Sequence, residues 1–214
     1  MCSGEPNRSG HVSSGPLAPP PPMSVALAAP HAASVDRLRD GSLSLPAQAA
    51  LVAGTALLTG LLAQFELRVY LWEVPLTLQS LAVYGAGLFL GWRNGLLAMG
   101  LYLALGLVLP FYAGGASGLA HLMGASVGYL VAFPLVALVA GAVTERGRGF
   151  GRTLLGLGAG SAVLFACGVL GLLAVTDLSA AEAVTNGWLR FVPWDLTKIA
   201  LVASASAAAR RATA

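Results

Sequence analysis

Asp195 and Lys198 stand inside an apolar run near the C-terminus, in the stretch PWDLTK (193–198). Three residues apart, they share neighbouring positions on one helix face. Ionisable groups within a membrane helix are costly, face a cavity or each other, and mark function. Spacing leaves two readings open. The two residues form an internal ion pair that orients its helix, which adds little net stability. Or they receive a ligand with an anionic and a hydrogen-bonding end, since a lysine ammonium is a compact point charge suited to a carboxylate. Asp195 would then hold the lysine in place or accept N–H donors. Thr77 and Gln79, in VPLTLQ (74–79), add a hydroxyl and an amide at the mouth of another apolar run. Thr77 serves equally well as a helix cap. AGGASG (113–118), with Gly114, Gly115 and Gly118, brings backbone groups close to a ligand or simply turns the chain. Tyr84, Tyr102, Tyr112, Tyr129 and Trp194 are candidates for an aromatic lining, whereas Trp72 and Trp188 fit an interfacial belt better.

Other chemistry is missing. His121 is a lone histidine with no second ligand, so no metal is expected. The only lysine is Lys198, so there is no G-x-x-x-x-G-K-[ST] phosphate loop and no ATP hydrolysis by that route. No nucleophile–base constellation lies in the apolar runs, and no catalytic residue is assigned. Cys2 and Cys167 fall in different environments and read as incidental.

The elements that position these residues follow from composition. The chain has 214 residues, 57% hydrophobic and 10% charged, with a mean hydropathy of +0.77. Soluble domains carry about 25% charged residues, so a water-soluble globule is excluded. The net charge of +3 comes from scattered arginines, which argues against a nucleic-acid partner. A crossing helix needs about 20 apolar residues, and 47–65 makes the first. Residues 94–144 contain no Asp, Glu, Lys or Arg. That run of 51 residues would be roughly 75 Å as one helix, so Pro110 and the following glycines must break it. Spans are expected at 47–65, 76–91, 95–109, 122–143, 153–175 and 189–209, six in all.

Six spans place the N-terminal segment, the loops near 93 and 144–152, and the C-terminus on one side. That side holds Arg8, Arg37, Arg39, Arg93, Arg146, Arg148, Arg152, Arg210 and Arg211, against Arg68 and Arg190 on the other. The positive-inside rule puts both termini in the cytoplasm. VPLTLQ, the glycine loop and the start of the last span then converge on an extracytoplasmic mouth, with Asp195 and Lys198 roughly 10 Å below it. The expected division is a disordered Pro/Ala-rich tail over 1–43, with Met23 an alternative start, a membrane domain over 44–209, and a cytoplasmic end at 210–214. Pairs of small residues four apart, Ala49 with Ala53 and Ala56 with Gly60, mark the first span as a face for another subunit. Ala50 and Gly54 form a further such pair on it. Gly156 and Gly160 in the fifth span are expected to serve packing within the bundle.

The residues from about 45 to 209 resemble the BioY family, the biotin-binding S components of energy-coupling factor (ECF) transporters. The resemblance rests on VPLTLQSLAVYGAGLFLG (74–91), GLYLALGLVLPFYAGGASGL (100–119), GYLVAF (128–133) and PWDLTKIA (193–200), in family order. Two places depart from the pattern. Gly91-Trp92-Arg93 stands where the family has Gly-Pro-Arg, and Gly124-Ala125-Ser126-Val127-Gly128-Tyr129 where it has Gly-Pro-Thr-x-Gly-Tyr. The resemblance implies an all-α membrane protein that binds biotin as a transported ligand and carries no cofactor. Asp195 and Lys198 would hold its polar ends, Tyr129 would line the pocket, and Thr77, Gln79 and the Gly114–Gly115 loop would close over it. It also implies a multi-pass protein of the bacterial cytoplasmic membrane, surrounded by lipid. Energy would come from a separate transmembrane subunit and cytoplasmic ATPases, with inward release by toppling, although some family members are proposed to act without dedicated energising subunits. The alternatives are an S component for another vitamin, a membrane-embedded enzyme acting on lipid, or a purely structural subunit.

Overall fold

The computed structural model describes Met1, Arg39, residues 43–67 and residues 74–212. Most of the 1–43 segment, with Cys2 and Met23, lies outside the described residues, as do Arg68, Trp72 and the last two residues. Among the described residues the regular structure is helical apart from one two-residue ladder.

Helix α1 spans Leu45–Ala63, with Pro46 in its first turn, where a missing N–H costs nothing. A short antiparallel ladder follows: β1 (Glu66–Leu67) pairs with β2 (Leu76–Thr77), Glu66 opposite Thr77 and Leu67 opposite Leu76. Helix α2 (Gln79–Gly85) continues as a π-helical turn over Ala86–Leu90. Helix α3 is Gly91–Gly106. A 3₁₀ turn at Ala113–Gly115 leads to α4 (Gly118–Leu122) and α5 (Val127–Val143). Helix α6 runs over Phe150–Val175. Helix α7 (Ala180–Val184) passes into a second π-helical turn at Thr185–Leu189, and α8 (Val192–Ala212) ends the chain.

Among the described residues, three stretches are long and apolar enough to cross a membrane: Leu45–Ala63, Gln79–Gly106 and Phe150–Val175, with Val127–Val143 a shorter apolar helix. The middle one is not a straight rod. Gly91 has φ 78° and ψ 175°, a backbone state that side chains resist. A Cβ on Gly95 would stand 3.0 Å from the Ala86 carbonyl oxygen, whereas nine residues of helix would separate them by about 13 Å. The chain therefore reverses at Gly91, and α3 lies back along α2. This is the break expected between the second and third spans.

Several expected boundaries move. The second span was expected from residue 76, but Leu76 and Thr77 are a strand and the helix starts at Gln79. Pro75 has no N–H for a helical turn and its ring disfavours a helical residue before it, so a helix does not start there and the strand forms instead. The fourth span was expected as one helix from 122. Instead α4 ends at Leu122, and the Gly124 carbonyl accepts from Val127 N–H at 2.9 Å in a turn that restarts the helix. Helix α8 starts at 192 rather than 189 and runs past 209 to Ala212.

The helices pack around α2 and its π-helical continuation. Helix α5 packs on α6 and α3, α1 on α3, and α6 on α8, while α2 touches α1, α5 and α8 and the π-helical turn touches α3 and α5. Gly156 and Gly160 lie against Thr144, Ala140 and Val136 of the α5 side, so they serve packing within the bundle as expected. The face of α1 divides. Ala56 is fully buried, and a Cβ on Gly60 would meet the Phe111 ring at 2.9 Å, so these two pack inside the chain rather than offering themselves to a partner. Ala49, Ala50 and Gly54 are exposed, and Ala53 is half-buried.

Candidate functional site

The N-terminal ends of α2, α5 and α8 meet at one end of the bundle and line a partly open cavity. Asp195 and Lys198 line it from the first two turns of α8, joined by Thr77, Gln79 and Ser80 from the β2–α2 corner and Tyr129 from α5. Five of the seven residues singled out for binding therefore share one cavity: Asp195, Lys198, Thr77, Gln79 and Tyr129. Gly114 and Gly115 do not line it; their neighbour Ala113 does. Both glycines take left-handed φ values, 67° and 71°. The loop they turn is tied to the end of α1, where Gln64 Nε2 donates to the carbonyls of Pro110 at 3.4 Å and Tyr112 at 3.2 Å.

The polar groups form three small networks. Asp195, 4% exposed, accepts from the Tyr84 hydroxyl at 2.7 Å on Oδ1 and from the Ser161 hydroxyl at 2.5 Å on Oδ2. Lys198 Nζ donates to the Thr77 carbonyl at 2.7 Å and to Ser80 Oγ at 2.9 Å. Thr77 Oγ1 donates to Gln79 Oε1 at 2.9 Å, and Gln79 Nε2 donates to the Tyr102 hydroxyl at 2.6 Å. Two of the readings left open are decided here. Asp195 and Lys198 make no direct ion pair, because each is engaged by neutral groups on other elements. Thr77 does not cap α2, since its side chain is turned to Gln79 and the helix start has no side-chain cap. An ammonium has three N–H donors and a carboxylate about four lone pairs, so each charge keeps capacity for a ligand.

The opposite wall is apolar. The rings of Tyr129, Phe165 and Phe191 lie with centroids 6.3–6.4 Å apart in pairs, and Leu130, Phe133, Leu164 and Trp194 extend the surface. Tyr129 is fixed at both ends. Its hydroxyl donates to the Gly187 carbonyl in the second π-helical turn, and its ring rests on Gly168 of α6, where any Cβ would collide with it. π-helical turns recur at functional sites because they re-aim backbone groups. Here the turn supplies the acceptor that holds an aromatic wall in place.

The tyrosines do not act alike. Tyr129 lines the cavity, but Tyr84, Tyr102 and Tyr112 are fully buried behind it. His121 lines the mouth and stacks on Tyr112 with centroids 5.2 Å apart. Trp194 lines the cavity as expected, while Trp188 is 45% exposed on the outer surface. Sequence reasoning missed Ser80, Ser161, Phe133, Phe165 and Phe191. Ser161 carried a usable signal: a hydroxyl inside a long apolar run, four residues before Phe165 and so on the same helix face.

Charges of the other kind collect at the far end of the bundle. The Gly91 turn with Arg93, the α5–α6 loop with Arg146 and Arg148, and the C-terminus of α8 with Arg210 and Arg211 all lie opposite the cavity. Arg39 belongs there too. Its guanidinium donates to the Gly141 carbonyl at 2.7 Å and to Thr144 Oγ1 at 3.2 Å, closing the C-terminus of α5.

Known proteins share this chain's sequence pattern and its fold. The sequence profile of the BioY family matches residues 33–214. A probable biotin transporter BioY of Pyrococcus horikoshii is 37% identical over 154 residues, covering 72% of this chain and 90% of that protein. The biotin transporter BioY of Rhizobium etli is 34% identical over 164 residues, 72% of this chain and 86% of that one. That of Rhodobacter capsulatus is 35% identical over 143 residues, 59% and 73% respectively. The crystal structure of an S-component for biotin from an ECF-type ABC transporter superposes with a TM-score of 0.71 at 22% identity, covering 79% of this chain and 93% of that one. At that identity the match speaks for the fold.

Proposed function

The chain belongs to the BioY family, and from that premise we propose how its cavity works. The protein is a membrane subunit that binds biotin for uptake, a transport-binding component rather than an enzyme. It captures biotin in the cavity between α2, α5 and α8 and releases it inward, with energy supplied by a separate transmembrane subunit and cytoplasmic ATPases of the ECF class. The observation that carries this reading is the division of one cavity into a charged rim, Asp195 and Lys198, and an aromatic wall, Tyr129, Phe165 and Phe191. Biotin has matching parts: a carboxylate, a ureido ring with two N–H donors and a carbonyl, and an apolar thioether ring. Small-molecule sites are mostly apolar with a few placed polar groups. Capture of this kind uses hydrogen bonds and apolar contact, and calls for no resident cofactor.

The same reading sets the protein in the bacterial cytoplasmic membrane with six crossings, both termini inside and the cavity facing out. Its support is the excess of arginines at the end away from the cavity, Arg39, Arg93, Arg146, Arg148, Arg210 and Arg211, against Arg190 beside the cavity-lining Phe191. The second crossing, Gln79–Leu90, is 12 residues, roughly 18 Å against about 30 Å of hydrocarbon. It is the central element, touched by α1, α3, α5 and α8, so protein covers much of its backbone where lipid would otherwise demand a longer helix. The exposed part of the α1 small-residue face, Ala49 together with Ala50 and Gly54, is the surface left for the transmembrane partner. Gly114 and Gly115 act at a distance, as the turn that lets Ala113 and His121 close the mouth over the ligand.

Titration calorimetry of the detergent-purified protein with biotin tests the proposal. One-to-one binding is expected; absence of heat together with no biotin retained through purification would contradict it.

A further inference from the structure

We propose that Tyr84 and Ser161 are positioning residues for ligand capture, holding the Asp195 carboxylate so that it stays available to the ligand instead of pairing with Lys198. This rests on the reading that the cavity takes biotin.

Asp195 and Lys198 are one helix turn apart, close enough to pair directly. A closed pair of that kind satisfies itself, and a ligand would have to break it. The chain instead supplies each charge with neutral partners from elsewhere. Tyr84 reaches Asp195 Oδ1 from α2 and Ser161 reaches Oδ2 from α6, so both carboxylate oxygens are held by hydroxyl donors on separate helices. Lys198 is held independently by the Thr77 carbonyl and Ser80 Oγ. Each oxygen of Asp195 keeps a lone pair, and Lys198 keeps an N–H. The site is thereby pre-organised, and binding does not first have to order the two charges.

Neither Tyr84 nor Ser161 lines the cavity. Tyr84 is fully buried, and its hydroxyl donates to Asp195. The two therefore act on the ligand through Asp195 and not by touching it. Tyr84 also differs in kind from its neighbours: Leu81 and Val83 on α2 and Leu88 in the π-helical turn carry no polar side-chain atom, and in this apolar segment a phenol needs a partner for its hydroxyl.

The test is biotin affinity of the full chain in detergent for Tyr84→Phe, Ser161→Ala, Ser161→Thr, Asp195→Asn and the Tyr84→Phe/Asp195→Asn double variant, with a thermal melt of each. Tyr84→Phe and Ser161→Ala are each expected to weaken binding roughly tenfold to a hundredfold, the scale of one hydrogen bond to a charged group. Ser161→Thr keeps the hydroxyl at a half-buried position and is expected to bind within about threefold of wild type. In the Asp195→Asn background, Tyr84→Phe is expected to add nothing further. Wild-type affinity in both Tyr84→Phe and Ser161→Ala overturns the inference while leaving the biotin reading intact. So does an undiminished loss from Tyr84→Phe in the Asp195→Asn background, which marks a packing role alone. Should Tyr84→Phe fail to fold, the Ser161→Ala and Ser161→Thr pair decides by itself: equal affinities overturn the inference and a restored affinity supports it. A wild-type protein that binds no biotin removes the functional reading and this inference with it.

Discussion

The two ends of the bundle both use a cation to grip backbone carbonyls, and they use it for different ends. At one, Lys198 donates to Thr77 C=O and Ser80 and still faces a cavity. At the other, Arg39 donates to Gly141 C=O and Thr144 and covers the Gly91 turn, its Nε 3.1 Å from where a Cβ of Gly91 would be. The lysine is a point charge with a donor to spare. The arginine's planar fork spreads its bonds across the last carbonyls of α5, where a cation complements the helix dipole. One cation faces a cavity with an N–H to spare and the other closes a helix. What separates them is whether a cavity adjoins the charge, not how deeply the charge is held.

The largest effect that would sharpen this contrast is Lys198→Ala. Truncating one member of a buried, hydrogen-bonded charged site is expected to weaken biotin binding by about 2–5 kcal/mol, read as a shift in dissociation constant by calorimetry. Gly168→Ala comes next, because a methyl group there collides with the Tyr129 ring. Overpacking of about 1–3 kcal/mol is expected to lower both the melting temperature and the affinity, as the aromatic wall is displaced. Tyr129→Phe should cost about 1–2 kcal/mol by leaving the Gly187 carbonyl without its donor, with most of the loss in melting temperature and a small loss in affinity. Arg39→Ala is expected to cost about 1 kcal/mol of stability and leave the biotin affinity within twofold of wild type. A marked loss of affinity there would break the comparison, since it would make the arginine end part of the site.

How much of this could be read from residues alone follows the same divide between local and tertiary effects. The apolar runs, the break at Pro110 with its glycines, and the reversal near Gly91 are local, and the boundaries they imply lie within a few residues of the observed ones. The Asp195–Lys198 spacing and the adjacent Thr77–Gln79 pair are likewise short-range patterns, and they do meet in one cavity. The partners of these residues are not local. Tyr84 and Ser161 lie 111 and 34 residues from Asp195, so nothing in the stretch 193–198 says that Asp195 is held away from Lys198. The same holds for Tyr129, whose aromatic role was legible while its acceptor in a π-helical turn 58 residues on was not. The α1 face shows the limit from the other side. The pairs Ala49–Ala53 and Ala56–Gly60 share one spacing, and only the position of Phe111 decides that Gly60 is already covered.

The central claim is that the Asp195–Lys198 end binds the ligand and the Arg39 end does not. Titrating biotin into wild type, Lys198→Ala and Arg39→Ala side by side tests it most directly. The account predicts tight one-to-one binding for wild type and Arg39→Ala, and a loss of at least about 2 kcal/mol for Lys198→Ala. Unchanged affinity in Lys198→Ala, or an equal loss in both variants, would contradict it.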